Sequence, residues 1–171
     1  RLFKDRGPQW GLVTDIEFVR YHRTKWMAFL NKSKGIVGAE SGTYYLEKDD
    51  RTQLAVDAYL RQTPDATFED VYVRFLKNYR NPVSGKAISS RHFEPIGTKT
   101  CQVLLEGNYN SILRADEHYI CIKKDLSNIT EAIRRLKDQE YRDKMVDQTY
   151  DYVLDQHTYR HRVDTLLKDI L

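Results

Sequence analysis

The residues able to do chemistry are crowded into one stretch, Ser89 to Gly107. Ser89 or Ser90 can cap free backbone N–H groups at a helix start. Arg91 and His92 fall in the same turn, where those N–H groups and the positive end of the helix dipole favour an anion. Glu94 follows, and then Pro95. A proline inside a helix clashes with the carbonyl four residues back, here that of Arg91, so the helix proper is expected to begin at Glu94–Pro95, with 90–93 as a turn. Cys101 to Leu105 is a short apolar run bounded by polar residues, as in a strand buried on both faces. Glu106-Gly107-Asn108-Tyr109 then lies at that strand's carboxyl end, where open α/β sheets bind ligands. A ligand carrying phosphate and sugar suits such a place; a solvated charge cluster at an α/β edge is the plainer alternative.

Other chemistries find less support. His157 and His161 form a helix-spaced pair, but a metal site needs further ligands and there is no HExxH, so structural roles are expected and no metal site is assigned. There is no DxD triplet, no GxGxxG after a strand and no Walker loop. Neither a GxSxG elbow nor a catalytic cysteine arrangement is present.

Ser90-x-x-Phe93-Glu94, Cys101-Gln102-Val103-Leu104 and the tail His157-Thr158-Tyr159-Arg160-His161-Arg162 resemble the C-terminal part of group 1 glycosyltransferases. The similarity is greatest to the branch grouped with spore-maturation-type glycosyltransferases, and it covers roughly residues 25–42 and 87–171. It implies a GT-B arrangement of two Rossmann-like domains, with the C-terminal one holding a nucleotide-sugar. By the same resemblance Glu94 would accept hydrogen bonds from the ribose hydroxyls, a task that suits the two oxygens of a carboxylate. Arg91, with Ser90, would grip the diphosphate, since guanidinium can clamp phosphate bidentately. The strand at Gly35–Ala39 would deliver Glu40, Ser41 and Gly42 to the donor side. Thr100 is a weaker candidate, and Lys99 is expected to face water. Many relatives carry a second glutamate eight positions before the first; here that position is Lys86. The catalytic residue is unassigned, because in the family the base belongs to the N-terminal domain.

The elements that must hold these residues follow from length and pattern. At 171 residues the chain fits one domain with a real core. Gly35 to Ala39 is expected as a second buried strand, His118 to Lys123 as a third, and Leu12 to Val19 as a loosely held further one. Helices are expected over Thr24–Asn31, Gln53–Gln62, and from Thr67, where Thr67-x-x-Asp70 makes a capping-box pattern ahead of Phe68, Val71, Tyr72, Phe75, Leu76 and Tyr79. Asn81-Pro82-Val83-Ser84-Gly85 should end that helix. Residues 43–86 read as a helical insertion. Asn128-x-x-Glu131 should open a helix, a longer one should carry Tyr141 to Val153, and Thr158 should cap a last one with Val163, Leu166, Leu167 and Ile170 inward. The fold class is therefore α/β: a Rossmann-like partial domain with a small, mostly parallel sheet, helices on both faces and a helical C-terminal tail.

Composition bounds the rest. Net charge is +3 with the signs interspersed, which argues against a nucleic-acid face. No apolar run approaches a membrane span, and Arg1 to Asp5 lacks a signal-peptide core. Cys101 and Cys121, without CxxC spacing, fit reduced buried thiols in a cytoplasmic protein. The expected function is the donor nucleotide-sugar side of a metal-independent glycosyltransferase with no cofactor. Its N-terminal Rossmann domain or partner chain would be missing, and the acceptor is unknown. The alternative is a non-catalytic binding module derived from the same fold; the basic cluster Arg20–Lys25 leaves a nucleic-acid adaptor as a third, weaker possibility.

Overall fold

The computed structural model describes residues 2–43, 47, 49–79 and 85–171. It contains two compact units, one formed by Arg1–Glu40 with Ile88–Leu171 and the other by Ser41–Ala87.

The first unit is built on a parallel three-stranded sheet of β1 (Gly35–Gly38), β4 (Cys101–Leu105) and β5 (Ile120–Ile122), with β4 in the centre. Gly35 pairs with Cys101, and Val103 with Ile120. Alternation along β4 divides the core in two. Cys101 and Val103 join Ile120, Ile122 and Ala132 of α6 (Ile129–Lys137), together with Met145 of α7 (Gln139–Gln156). On the opposite face Leu104 meets Ile96 of α5 (Ser90–Gly97), Tyr109, Ile112, Leu113 and Tyr119. Helices thus cover both faces, and α7 contributes to both clusters, adding Tyr150 and Val153 to the second. This is the α/β class with a helical C-terminal tail that the pattern predicts.

Several local expectations are corrected. Residues 12–18 form no strand. β1 is a half-buried strand at the sheet edge beside β4, with Val37 46% exposed. Helix α5 begins at Ser90 and runs through Pro95, so residues 90–93 are helical. The proline falls in the second turn of an eight-residue helix, where the one helical bond it withholds is that to the Arg91 carbonyl. Asn128 does not build a capping box: its side chain takes the Lys123 N–H at 2.9 Å and donates to Cys121 O at 2.8 Å. Glu131 turns instead to Arg134 and Arg135.

In α8 (Tyr159–Ile170) no residue is buried, and Val163, Leu166, Leu167 and Ile170 are 47–69% exposed rather than inward. Periodicity specifies an apolar stripe but not what covers it. The helix start is held by Thr158 N–H donating to His161 Nδ1 at 3.2 Å. His157 accepts from Arg162 through Nδ1 at 2.6 Å, which leaves Nε2–H to donate to the Tyr152 hydroxyl at 2.7 Å. Both tail histidines are therefore bound into local structure.

In the second unit, β2 (Ser41–Thr43) pairs antiparallel with β3 (Gly85–Ala87). Helix α3 (Arg51–Gln62) starts where Glu47 accepts the Thr52 N–H at 2.7 Å. The Thr67–Asp70 capping box forms ahead of α4 (Phe68–Val71), but the following turn, Tyr72–Leu76, is a π-helix. Asn81 to Ser84, expected to end this helix, lie outside the described residues.

Candidate functional site

Three connections gather the carboxyl ends of β1 and β4 around the first turn of α5. His92, 2% exposed, accepts the Ser89 N–H at Nδ1 (3.0 Å), which leaves Nε2–H to donate to Ala39 O at 3.1 Å. Burial holds this imidazole below its ordinary range, so the ring that pins the α5 start to the end of β1 is neutral at pH 7. Glu40, the next residue, reaches across to accept the Tyr109 N–H at 2.9 Å. Asn110 Oδ1 accepts the Ile88 N–H at 2.7 Å, tying the chain ahead of α5 to the loop after β4.

That loop is conformationally costly. Tyr109, Asn110 and Ser111 have φ of 45°, 53° and 57°, three successive left-handed residues. Asparagine tolerates this region, but tyrosine rarely enters it. The conformation persists because the surroundings over-determine it: the Tyr109 hydroxyl donates to Leu105 O at 2.6 Å, its ring is buried against Tyr119, and Ser111 Oγ donates to Asn108 Oδ1 at 3.1 Å. Such strain is concentrated at functional sites. A Cβ at Gly107 would stand 2.6 Å from Glu40 Oε2, so a larger residue there must displace the Glu40 side chain.

Ser90 and Arg91 occupy the first two positions of α5 and are exposed. Glu94, one turn on, is half-buried and accepts the indole N–H of Trp26 at Oε2, 2.7 Å away. Trp26 comes from α2 (Thr24–Asn31), the helix that precedes β1. The arrangement offers a helix start, a guanidinium and a positioned carboxylate on one helix, beside the strand-end loop. These are groups that bind phosphate and hydroxyls.

The remaining expected residues belong to other elements. Thr100 lies at the opposite, amino-terminal end of β4; it is buried, and its hydroxyl donates to Leu30 O at 3.1 Å. Ser41 and Gly42 belong to β2 of the second unit. Gly42 has φ of +85°, and a Cβ there would meet Gly85 O at 1.9 Å, so its glycine serves the β2–β3 pairing. Trp26, His92, Tyr109 and Asn110 carry the site's geometry without being marked by any motif. Only the Ser89–Glu94 crowding hinted at His92.

The sequence model of a family described as glycosyl transferase-like matches residues 23–168. The chain belongs to this glycosyl transferase-like family. The match runs through α2, both units and all but the last residues of α8, so Trp26, Glu40, Glu94 and the strand-end loop are all family territory. No curated protein and no solved structure matches the chain significantly. Among the described residues no group of three or more His, Cys, Asp or Glu could hold a metal ion, and no helix is long and apolar enough to cross a membrane.

Proposed function

We propose that the first unit is the donor side of a glycosyltransferase, holding the nucleotide of a nucleotide-sugar at the start of α5. Ser90 and Arg91, at the positive end of that helix, bind the diphosphate, and the Glu94 carboxylate accepts the ribose hydroxyls. Glu40 stays on the strand end, orienting the Tyr109 loop beneath the sugar. The observation that carries the reading is the His92–Ala39 bond, which brings the start of α5 to the carboxyl end of β1 in a chain of this family. Transfer of the sugar leaves negative charge on the departing diphosphate, and a guanidinium with preorganised backbone donors stabilises it without a metal. The acceptor's base would come from a second Rossmann domain or a partner chain. The free thiols of buried Cys101 and half-buried Cys121 fit a cytoplasmic setting.

Calorimetric titration of the parent and Glu94→Gln with uridine and guanosine diphosphate tests this assignment. The substitution keeps the shape and removes the charged acceptor. The expected result is about a tenfold or larger loss of affinity with little change in melting temperature. Equal affinities would overturn the ribose role.

A non-catalytic binding module is the second reading, favoured by Lys86 standing where many relatives have their earlier glutamate. It predicts the same binding but no sugar transfer when a partner domain is supplied.

A further inference from the structure

Trp26 and Glu94 lie 68 residues apart in the sequence and meet through a single bond of 2.7 Å from indole Nε1–H to carboxylate Oε2. Indole nitrogen is a donor only, so the bond has one direction. Trp26 is itself held: its ring stacks on Phe29 with centroids 5.7 Å apart and planes 14° from parallel. Phe29 is packed edge-on by Tyr21 at 5.6 Å and lies 5.1 Å from the Lys32 ammonium. The donor is therefore part of a packed aromatic group. Among the described residues Glu94 Oε1 accepts no hydrogen bond. A glutamate on a helix surface otherwise turns broadly about its last torsion.

We propose that Trp26 is the positioning residue for Glu94, fixing the carboxylate plane through Oε2 so that Oε1 is presented to the ribose diol. The inference rests on the donor-binding reading above and adds a residue that no chemical motif marks. A carboxylate fixed before the ligand arrives loses less rotational freedom on binding. Trp26 thereby raises affinity for a ribose that carries hydroxyls and is indifferent to one that lacks them. A role limited to joining α2 to α5 would not discriminate between those ligands.

The test uses Trp26→Phe, which keeps an aromatic ring to stack on Phe29 and removes the N–H. Parent, Trp26→Phe, Glu94→Gln and the double variant are titrated with uridine diphosphate and with its 2′,3′-dideoxy counterpart, and with the guanosine pair in parallel. Trp26→Phe should bind the ribonucleotide about three- to tenfold more weakly and the dideoxy ligand less than about twofold more weakly, the loss expected when one side chain must be ordered on binding. The double variant should bind no more weakly than Glu94→Gln alone, because the two residues act through one contact. Because the readout is a ratio within each variant, a lowered melting temperature leaves it interpretable. Equal losses on both ligands would show that Trp26 only joins the helices and would overturn the proposal. Loss in Glu94→Gln but none in Trp26→Phe would overturn it while leaving the donor site standing. A parent that binds neither diphosphate would overturn the donor reading and this inference together.

Discussion

Glu40 at the end of β1 accepts the Tyr109 N–H at 2.9 Å, directly over the missing side chain of Gly107. The carboxylate fills the space that any Cβ at 107 would need. Gly107→Ala should therefore lower stability by about 1–3 kcal/mol through overpacking and displacement of Glu40. In a Glu40→Ala background the same change should cost far less. Urea unfolding of the four proteins gives the coupling; additive losses would show that the two positions do not share this space.

Asn110 has two duties, an acceptor for Ile88 N–H and a left-handed backbone. Asn110→Ala loses both and should cost about 1–3 kcal/mol, whereas Asn110→Gly recovers the backbone part and should cost less. Thermal or chemical unfolding orders the three proteins. An Asn110→Gly variant less stable than Asn110→Ala would contradict the left-handed turn.

Three imidazoles make stability depend on pH. His92, His118 and His157 are each held below the ordinary histidine range, chiefly by burial. His118 additionally accepts the Arg114 N–H at Nδ1, 3.1 Å away, so protonation there breaks a bond. With the folded pKa depressed, the unfolded chain takes up protons first as pH falls. The stabilisation is complete above about pH 6.5 and is lost below it. The urea midpoint should fall steadily from about pH 7 to pH 5, ahead of the range in which the carboxylates titrate. A flat midpoint over that interval would contradict the neutral, buried assignment.

Burial pushes the Cys101 thiol up to about 12 and raises Cys121 as well. At about pH 8 the native protein should therefore react slowly with a disulfide reagent, and both thiols should react promptly once it is denatured. Fast modification of Cys101 in the native state would show that the α6 side of β4 is open.

Arg91→Ala should weaken binding of a nucleoside diphosphate far more than that of the bare nucleoside. Arg91 stands exposed at the second position of α5, where its guanidinium and the positive end of the helix favour an anion. Titration with both ligands decides; equal weakening would mean that Arg91 supports the helix rather than the phosphate.

Much of this arrangement was legible in the sequence. The apolar run Cys101–Leu105 became the central strand, and the Ser89–Arg91 crowding marked the helix start beside it. Pro95 points to a later helix start, since it cannot donate to the carbonyl four residues back, yet an eight-residue helix gives up only that one bond. Val163, Leu166, Leu167 and Ile170 are a different case: their spacing describes a stripe, and burial is decided by a neighbour the stripe does not name. Thr100 flanks the start of β4 as the sequence places it, and its hydroxyl is bound to the Leu30 carbonyl, a contact 70 positions away that no local pattern gives. Trp26 belongs to no motif, and its bond to Glu94 spans 68 positions and follows from the parallel pairing of β1 and β4.

The central claim is that a nucleoside diphosphate settles on the start of α5 beside the ends of β1 and β4. Backbone and indole N–H resonances followed during titration with uridine or guanosine diphosphate test it most directly. The account predicts that the amides of Glu40, Ser90 to Glu94 and Gly107 to Tyr109 shift together with the Trp26 indole, while those of α6 and α8 stay in place. Saturable shifts centred on another part of the chain, or none at ligand concentrations that saturate related sugar-nucleotide sites, would contradict it.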